Sequence, residues 1–152
     1  MHSILNTFAC MISLATYSDY PAIVELWEQS VRVTHPFLPE AYLQEIKALL
    51  PSILPQVKIF VWREKDGAVR GFAGVAGSKI EMLFVRPDSF GLGLGKQLVQ
   101  FCIYSLGVSE VDVNEQNETA VRFYQKMDYQ LVGRDELDSL GKPYPILHLR
   151  HS

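Results

Sequence analysis

Apolar residues recur at helical spacing in two segments near the start of the chain. A first helix is predicted to follow Asp19, whose side chain is placed to cap it. One side of this helix carries four apolar residues and a serine, namely Ile23, Leu26, Trp27, Ser30 and Val31. A second helix is predicted from Glu40 to Leu50, ending near Pro51, because proline interrupts helical hydrogen bonding. The pattern therefore begins with a helical pair behind one short segment of strand-like alternation, residues 11–16.

The remainder alternates between strand and helix patterns. Strands are predicted at 57–63, 68–76, 79–85, 110–113, 129–137 and 145–150, and residues 64–67 form a hairpin turn. Two further helices are predicted, from about Gly95 to Leu106 and from an Asn117 cap to near Met127. With no repeat or linker dividing the chain, this order predicts one α/β domain at residues 11–152, preceded by an extension at residues 1–10.

Composition excludes several classes of function. The formal net charge is −3 without any run of Lys and Arg, so nothing predicts binding of nucleic acid or of an acidic membrane. Two cysteines and four scattered histidines predict no metal site and no disulfide framework, and Cys102 is expected in the core. The expected location is the cytoplasm, because no Lys or Arg precedes Arg32 to form the basic region of a secretory signal.

A glycine-rich loop joins the apolar strand ending at Val85 to the helix near Gly95. Its glycines alternate along the chain, at Gly91, Gly93 and Gly95, and Lys96 follows them. Glycines allow close approach of the backbone to a ligand, and free N–H groups at a helix start suit a pyrophosphate. The alternative is a tight turn that only packs helix against strand. Neither the dinucleotide fingerprint nor the P-loop pattern is present, which weakens a third interpretation, a nucleotide-binding or DNA-associated regulator.

The loop resembles the cofactor-binding motif of the GNAT superfamily of acetyltransferases, from Leu83 to Leu98. One residue departs from that motif, since Phe90 stands where the family usually has Gln or Arg. Residues 113–124 resemble the second acetyl-CoA segment of the same superfamily. The likeness extends over about residues 11–150 and is to small bacterial members of the YjaB type.

This resemblance implies an α/β (α+β) fold, with a mixed, mostly antiparallel sheet of about seven strands flanked by about four helices. The sheet is expected to splay between the fourth and fifth strands. Acetyl-CoA would be the cosubstrate, without a metal. The residues implied in binding it are Leu83, Phe84, Val85, Gly91, Leu92, Gly93, Leu94, Gly95, Lys96, Asn117 and Tyr124.

Acetyl transfer from a thioester to an amine needs a proton donor for the departing thiolate, support for a developing oxyanion, and an uncharged amine. The resemblance implies Tyr124 as the proton donor and the Val85 amide as the donor to the thioester oxygen. Glu81 is the candidate for deprotonating the amine, on the expectation that strand alternation points it away from the face of Met82. Tyr124 as a packed aromatic residue and Glu81 as a solvated carboxylate are the structural alternatives.

The acceptor pocket is expected between the first helical pair and the last two strands, lined by Trp27, His35, Phe37 and Tyr144. The predicted acceptor is a primary amine of a small molecule or peptide, and a modest amine with an apolar body is favoured over a broad protein surface. A non-catalytic acyl-CoA-binding module is the alternative function. The protein is expected to be a monomer or a homodimer.

Overall fold

The computed structural model describes residues 11–152, and the extension predicted at residues 1–10 lies outside this range. Within it, seven strands form one sheet in the order β1-β2-β3-β4-β5-β7-β6. Their bounds are β1 Ile12–Leu14, β2 Lys58–Arg63, β3 Val69–Ala76, β4 Lys79–Val85, β5 Glu110–Asn114, β6 Tyr129–Asp135 and β7 Ile146–His151. The helices of this range are α1 Tyr20–Thr34, α2 Glu40–Ile53, α3 Leu94–Leu106 and α4 Glu118–Lys126.

Two hydrophobic cores cover the two faces of the sheet. The first core lies under α1 and α2 and contains Phe72 and Val61 from the sheet. The second core lies against α3 and α4 and contains Leu98, Cys102 and Tyr124. The buried side of α1 is the one that the apolar spacing predicts, and Cys102 is fully buried as expected. Each face of the sheet thus belongs to one helical pair.

Strands β4 and β5 pair only briefly. They run parallel, and their register consists of two pairs, Lys79 with Glu110 and Ile80 with Val111. All other neighbouring strands of the sheet are antiparallel. The mixed sheet and its splay between the fourth and fifth strands are therefore confirmed.

A bulge in β4 changes the direction of its side chains. Val75 pairs with Ile80 and Gly74 with Met82, so Glu81 has no partner on β3. Ile80 packs in the core of α3 and α4, whereas Met82 packs against the core of α1 and α2. The simple alternation on which the expectation for Glu81 and Met82 depends is therefore interrupted at Glu81 by an extra residue.

Two details of the helices also differ from the sequence prediction. Asp19 occupies the N-cap position of α1, but its carboxylate accepts from the Thr16 N–H at 2.9 Å and from Arg63 at 2.9 Å instead of capping α1. The second helix continues through Pro51 to Ile53. Proline removes only one helical hydrogen bond there, and the burial of Leu50 on the same turn favours the helical conformation.

Three strands are joined on one face by His148 of β7. Its Nδ1 lies 2.6 Å from Asp112 of β5, and its Nε2 lies 2.8 Å from Asp135 of β6. These hydrogen bonds raise the pKa of His148 above its usual value. The imidazolium form is therefore favoured in the folded protein.

We predict that His148 stabilises the protein mainly at low pH. Since its folded-state pKa is raised, the contribution is complete below the unfolded pKa and is lost as pH rises through the folded pKa. His148→Gln should lower the free energy of unfolding by about 1 kcal/mol at pH 5.5, because the pairs are partly solvated, and by less at pH 8.5. Urea unfolding of both proteins at both pH values measures this. An equal deficit at the two pH values would contradict the prediction.

Candidate active site

The gap between β4 and β5 opens into a cavity of about 590 Å³. Its walls come from β4, the glycine loop, the start of α3, β5, α4 and the end of α1. The gap begins directly after the last β4–β5 pair, Ile80 with Val111. The cavity therefore occupies the place in which the two strands would otherwise be joined.

Every second residue of β4 directs its backbone N–H and C=O groups into this gap. The Arg86 N–H donates to the Arg70 carbonyl at 2.8 Å, and the same register pairs Phe84 with Phe72. In an antiparallel ladder hydrogen-bonded and non-hydrogen-bonded pairs alternate, so Leu83 and Val85 direct their N–H and C=O groups away from β3. An extended ligand in the gap can pair with these groups.

The glycine loop owes its shape to backbone conformation. Gly91 and Gly93 have φ values of 79° and 84°, in the left-handed region, and a Cβ at either position would meet nothing within 4 Å. Glycine is thus needed for the backbone conformation and not for space. The Gly93 carbonyl accepts from the Gln97 N–H at 3.1 Å, which begins α3 and leaves the preceding N–H groups of Leu94, Gly95 and Lys96 without helical partners.

Helix α4 brings a tyrosine hydroxyl to the opposite wall. Asn117 caps this helix by accepting from the Ala120 N–H at 3.2 Å, as predicted. Tyr124 is 4% exposed, lines the cavity and lies edge-on to Phe123 and Tyr129. Burial raises the pKa of the Tyr124 phenol, so the hydroxyl stays protonated at neutral pH.

Two carboxylates lie beside each other at the start of the gap. Glu81 and Asp112 are the residues immediately after the last β4–β5 pair, and both line the cavity. Partial desolvation raises the pKa of Glu81, Lys79 opposes this change, and Asp112 adds to it. Lys79 itself bonds to Asp112 at 3.0 Å. Glu81 therefore has an increased affinity for a proton.

A row of rings leads from the cavity to the surface. His35 lines the cavity, with its ring 6.5 Å from Phe84 and 5.4 Å from Phe37. Tyr144 lies 6.1 Å from Phe37 and stacks on Tyr42 at 5.3 Å. Burial lowers the pKa of His35 to about 4, so its ring is neutral at physiological pH.

Comparison with known proteins agrees with this geometry. The acetyltransferase (GNAT) domain family matches residues 55–131, half of the chain. The chain belongs to the GNAT acetyltransferase family. It is 41% identical over 141 residues to the peptidyl-lysine N-acetyltransferase YjaB of Escherichia coli K12, covering 92% of this chain and 95% of that one. The Salmonella typhimurium YjaB is 39% identical over 138 residues, covering 91% and 95% of the respective chains.

The fold agrees as well. The solution structure of apo YjaB from Escherichia coli superposes with a TM-score of 0.86 at 37% identity, covering 92% of this chain and 95% of that chain. The protein is thus an N-acetyltransferase, and acetyl-CoA is the acetyl donor that the GNAT family uses.

The cavity of this GNAT domain has the donors that acetyl-CoA requires. Unpaired N–H groups at the start of α3, together with Lys96, suit the pyrophosphate. The free backbone edge at Leu83 and Val85 suits the amides of the pantetheine arm. When bound, acetyl-CoA supplies an activated acetyl group at the end of that arm. No helix in residues 11–152 has both the length and the apolar character to cross a membrane, and no cluster of potential metal ligands occurs in the same range.

Most residues that the sequence assigns to the site lie together on the cavity wall. These are His35, Glu81, Leu83, Phe84, Val85, Gly91, Gly93, Leu94, Gly95, Lys96, Asn117 and Tyr124. Four others do not line it, namely Trp27, Phe37, Leu92 and Tyr144. Trp27 is 5% exposed and packs in the core of α1 and α2, and Leu92 is 64% exposed at the tip of the loop. Phe37 and Tyr144 belong to the row of rings outside the cavity.

Several polar residues of the cavity wall are not among the predicted site residues, namely Ser30, Thr34, Ser89, Asp112, Asn114 and Thr119. The position of Asp112 on a strand face could have been predicted, because it alternates with the apolar Val111 and Val113 in β5 and therefore lies on the opposite face from them. Its position beside Glu81 depends on the register between β4 and β5, which the sequence does not state.

We predict that Gly93→Ala weakens acetyl-CoA binding, because a left-handed residue with a Cβ costs about 1–2 kcal/mol and shifts the N–H groups behind it. Gly77→Ala is a matched control, since Gly77 has φ 61°, equally open surroundings and a place in the β3–β4 turn away from the cavity. Titration calorimetry should show about tenfold or greater loss of affinity for Gly93→Ala alone. Equal losses in both variants would contradict the loop assignment.

Proposed function

We propose that this enzyme transfers the acetyl group of acetyl-CoA to the ε-amine of lysine side chains in proteins or peptides. The observation that carries this proposal is the gap between β4 and β5, which has the Glu81 carboxylate at its start and the Tyr124 hydroxyl on its wall. The relatives at 39–41% identity, named as peptidyl-lysine N-acetyltransferases, support lysine as the acceptor. Their names favour a protein substrate over the small amine that the sequence analysis favours.

A lysine side chain also suits the aromatic row beside the cavity. Its four-carbon stem is apolar and its end is charged, so the stem can lie along rings while the amine reaches the acetyl group. His35, Phe37 and Tyr144 would form this wall. Trp27 is no longer part of the proposed wall, because it is buried in the core.

Glu81 would convert the bound ammonium into the nucleophile. Amines react as the neutral base, and free lysine has a pKa of about 10.4, so a proton acceptor at the gap is needed near neutral pH. The exposed Glu81 carboxylate, whose pKa is raised, fits this role directly or through one water. The His35 ring on the other wall is neutral and therefore adds no competing positive charge.

Tyr124 would protonate the departing thiolate. A phenol in an apolar wall keeps its proton until a stronger base forms next to it. The Val85 N–H, which points into the gap, would donate to the oxygen of the acetyl group as negative charge develops there.

The transfer is proposed to be direct, within a ternary complex. An acetyl-cysteine intermediate would need an accessible thiolate, and Cys102, the cysteine within residues 11–152, is fully buried with its pKa raised to about 12. Cytoplasmic location, absence of nucleic-acid partners and a monomeric or homodimeric state remain predictions from the sequence.

We expect lysine peptides to support release of CoA in a thiol assay. The substrate would be a peptide with a blocked N-terminus and one lysine, and the control would be the same peptide with norleucine, which keeps the stem but lacks the amine. Spermidine and an aminoglycoside would represent small amines. Turnover with a small amine, together with none on lysine peptides, would refute the proposed acceptor, and mass spectrometry would locate the acetyl group.

We predict that Tyr124→Phe lowers kcat at least tenfold while leaving the Kd for acetyl-CoA within about twofold, because it removes a proton donor and little volume. Tyr129→Phe is the control, as its hydroxyl is buried in the same core, has no hydrogen-bond partner among the described residues and does not line the cavity. Wild-type turnover in Tyr124→Phe would assign Tyr124 to packing and remove it as the proton donor. Binding of acetyl-CoA by the wild-type protein without turnover on any amine would favour the non-catalytic binding module.

A further inference from the structure

The start of the gap carries a second carboxylate, Asp112, whose partners differ from those of Glu81. Both residues follow the last β4–β5 pair, Ile80 with Val111, and those two apolar residues are buried in the core of α3 and α4. Asp112 turns to the opposite face of β5 and bonds to Lys79 and His148 there. Glu81 forms no ion pair with any residue in the range 11–152.

Lys79 is the cation that could pair with either carboxylate. It precedes Glu81 by two residues on β4, and it is the positive charge that acts most strongly on the Glu81 pKa. Its Nζ nevertheless lies 3.0 Å from Asp112. A lysine bound to Glu81 would stabilise the charged carboxylate and make it a weaker base.

We propose that Asp112 is a positioning residue for acetyl transfer, which holds Lys79 away and so leaves the Glu81 carboxylate free to take the proton of the acceptor amine. This inference rests on the proposed function, in which Glu81 is that base. Asp112 itself takes no proton in the reaction. The first proton passes from the acceptor ammonium to Glu81, and the freed lone pair of the amine forms the new bond to the acetyl carbon as the bond to sulfur breaks. The thiolate leaves as the CoA thiol with the proton of Tyr124, and the second proton of the attacking nitrogen restores the phenol.

The remaining charges near Glu81 do not replace Lys79. Glu110 of β5 bonds to Ser78 and Arg150, one strand position further from the gap. His148 stands behind Asp112 and holds its other oxygen, and His35 on the far wall is neutral. On β3, the nearest positions, Gly74 and Val75, carry no charge.

The Glu81 pKa can be measured directly by carbon NMR of its side-chain carboxyl in the full-length protein. Asp112→Asn should lower it by about 1 unit or more, because the loss of a neighbouring negative charge and the release of Lys79 act in the same direction. In the Lys79→Met background the same substitution can act only through the lost charge. We therefore expect a clearly smaller shift there, and the difference between the two shifts measures the holding of Lys79.

Asp135→Asn is the matched control. Like Asp112→Asn, this substitution removes one negative charge and one bond to His148. Asp135 contacts neither Lys79 nor the cavity, so the Glu81 pKa should stay within about 0.3 units of its wild-type value. The acid limb of kcat/KM for a lysine peptide should move with the Glu81 pKa in every variant. Melting temperature and acetyl-CoA affinity of each variant report whether the fold is kept.

The outcomes separate this inference from the proposed function. Equal shifts for Asp112→Asn in the wild-type and Lys79→Met backgrounds, or no shift in either, would overturn the holding role. A smaller shift without Lys79, with the acid limb following it, supports that role. Full activity of Glu81→Gln would instead remove Glu81 as the base, whatever the NMR titrations give.

Discussion

The parallel pairing of β4 and β5 stops after two residue pairs, and the site depends on that interruption. A sheet normally satisfies the backbone groups of an inner strand on both sides, and groups left without partners carry a free-energy penalty when buried. From Leu83 to Val85, β4 is paired on the β3 side only. The protein therefore presents an unfilled strand position, and an extended amide-containing ligand such as the pantetheine arm can complete the ladder there.

The neighbouring elements extend this one-sided strand into a site. Where β4 ends, two left-handed glycines turn the chain so that α3 begins with its free N–H groups at the end of the same gap. On the other side, Asn117 starts α4 just after β5, which sets the height at which Tyr124 meets the cavity. The bulge at Glu81 removes one residue from the β3 ladder at the point where the gap begins. The site is thus assembled from strand ends and helix starts on either side of a missing strand.

Much of this arrangement could be predicted from the sequence, because local signals decide it. Apolar spacing identifies the buried side of α1, Asn117 marks the start of α4, and alternating glycines mark the loop. What could not be predicted depends on register between distant segments. Apolar spacing predicts that Trp27 points inward, but it does not distinguish a position in the core from one in a pocket. The short β4–β5 pairing that places Asp112 beside Glu81 has no local signature in the sequence.

The gap also explains how one cavity can hold the proposed proton donor and the proposed proton acceptor, whose surroundings differ in character. Tyr124 belongs to the core of α3 and α4, where burial keeps its phenol neutral. Glu81 follows the last β4–β5 pair, in the polar surroundings of Lys79 and Asp112, which both act on its pKa. An intact sheet would separate these two environments by a full strand. Because the strand is missing there, a ligand in the gap can reach both the Tyr124 phenol and the Glu81 carboxylate, so the two proposed proton transfers need not compete for one group.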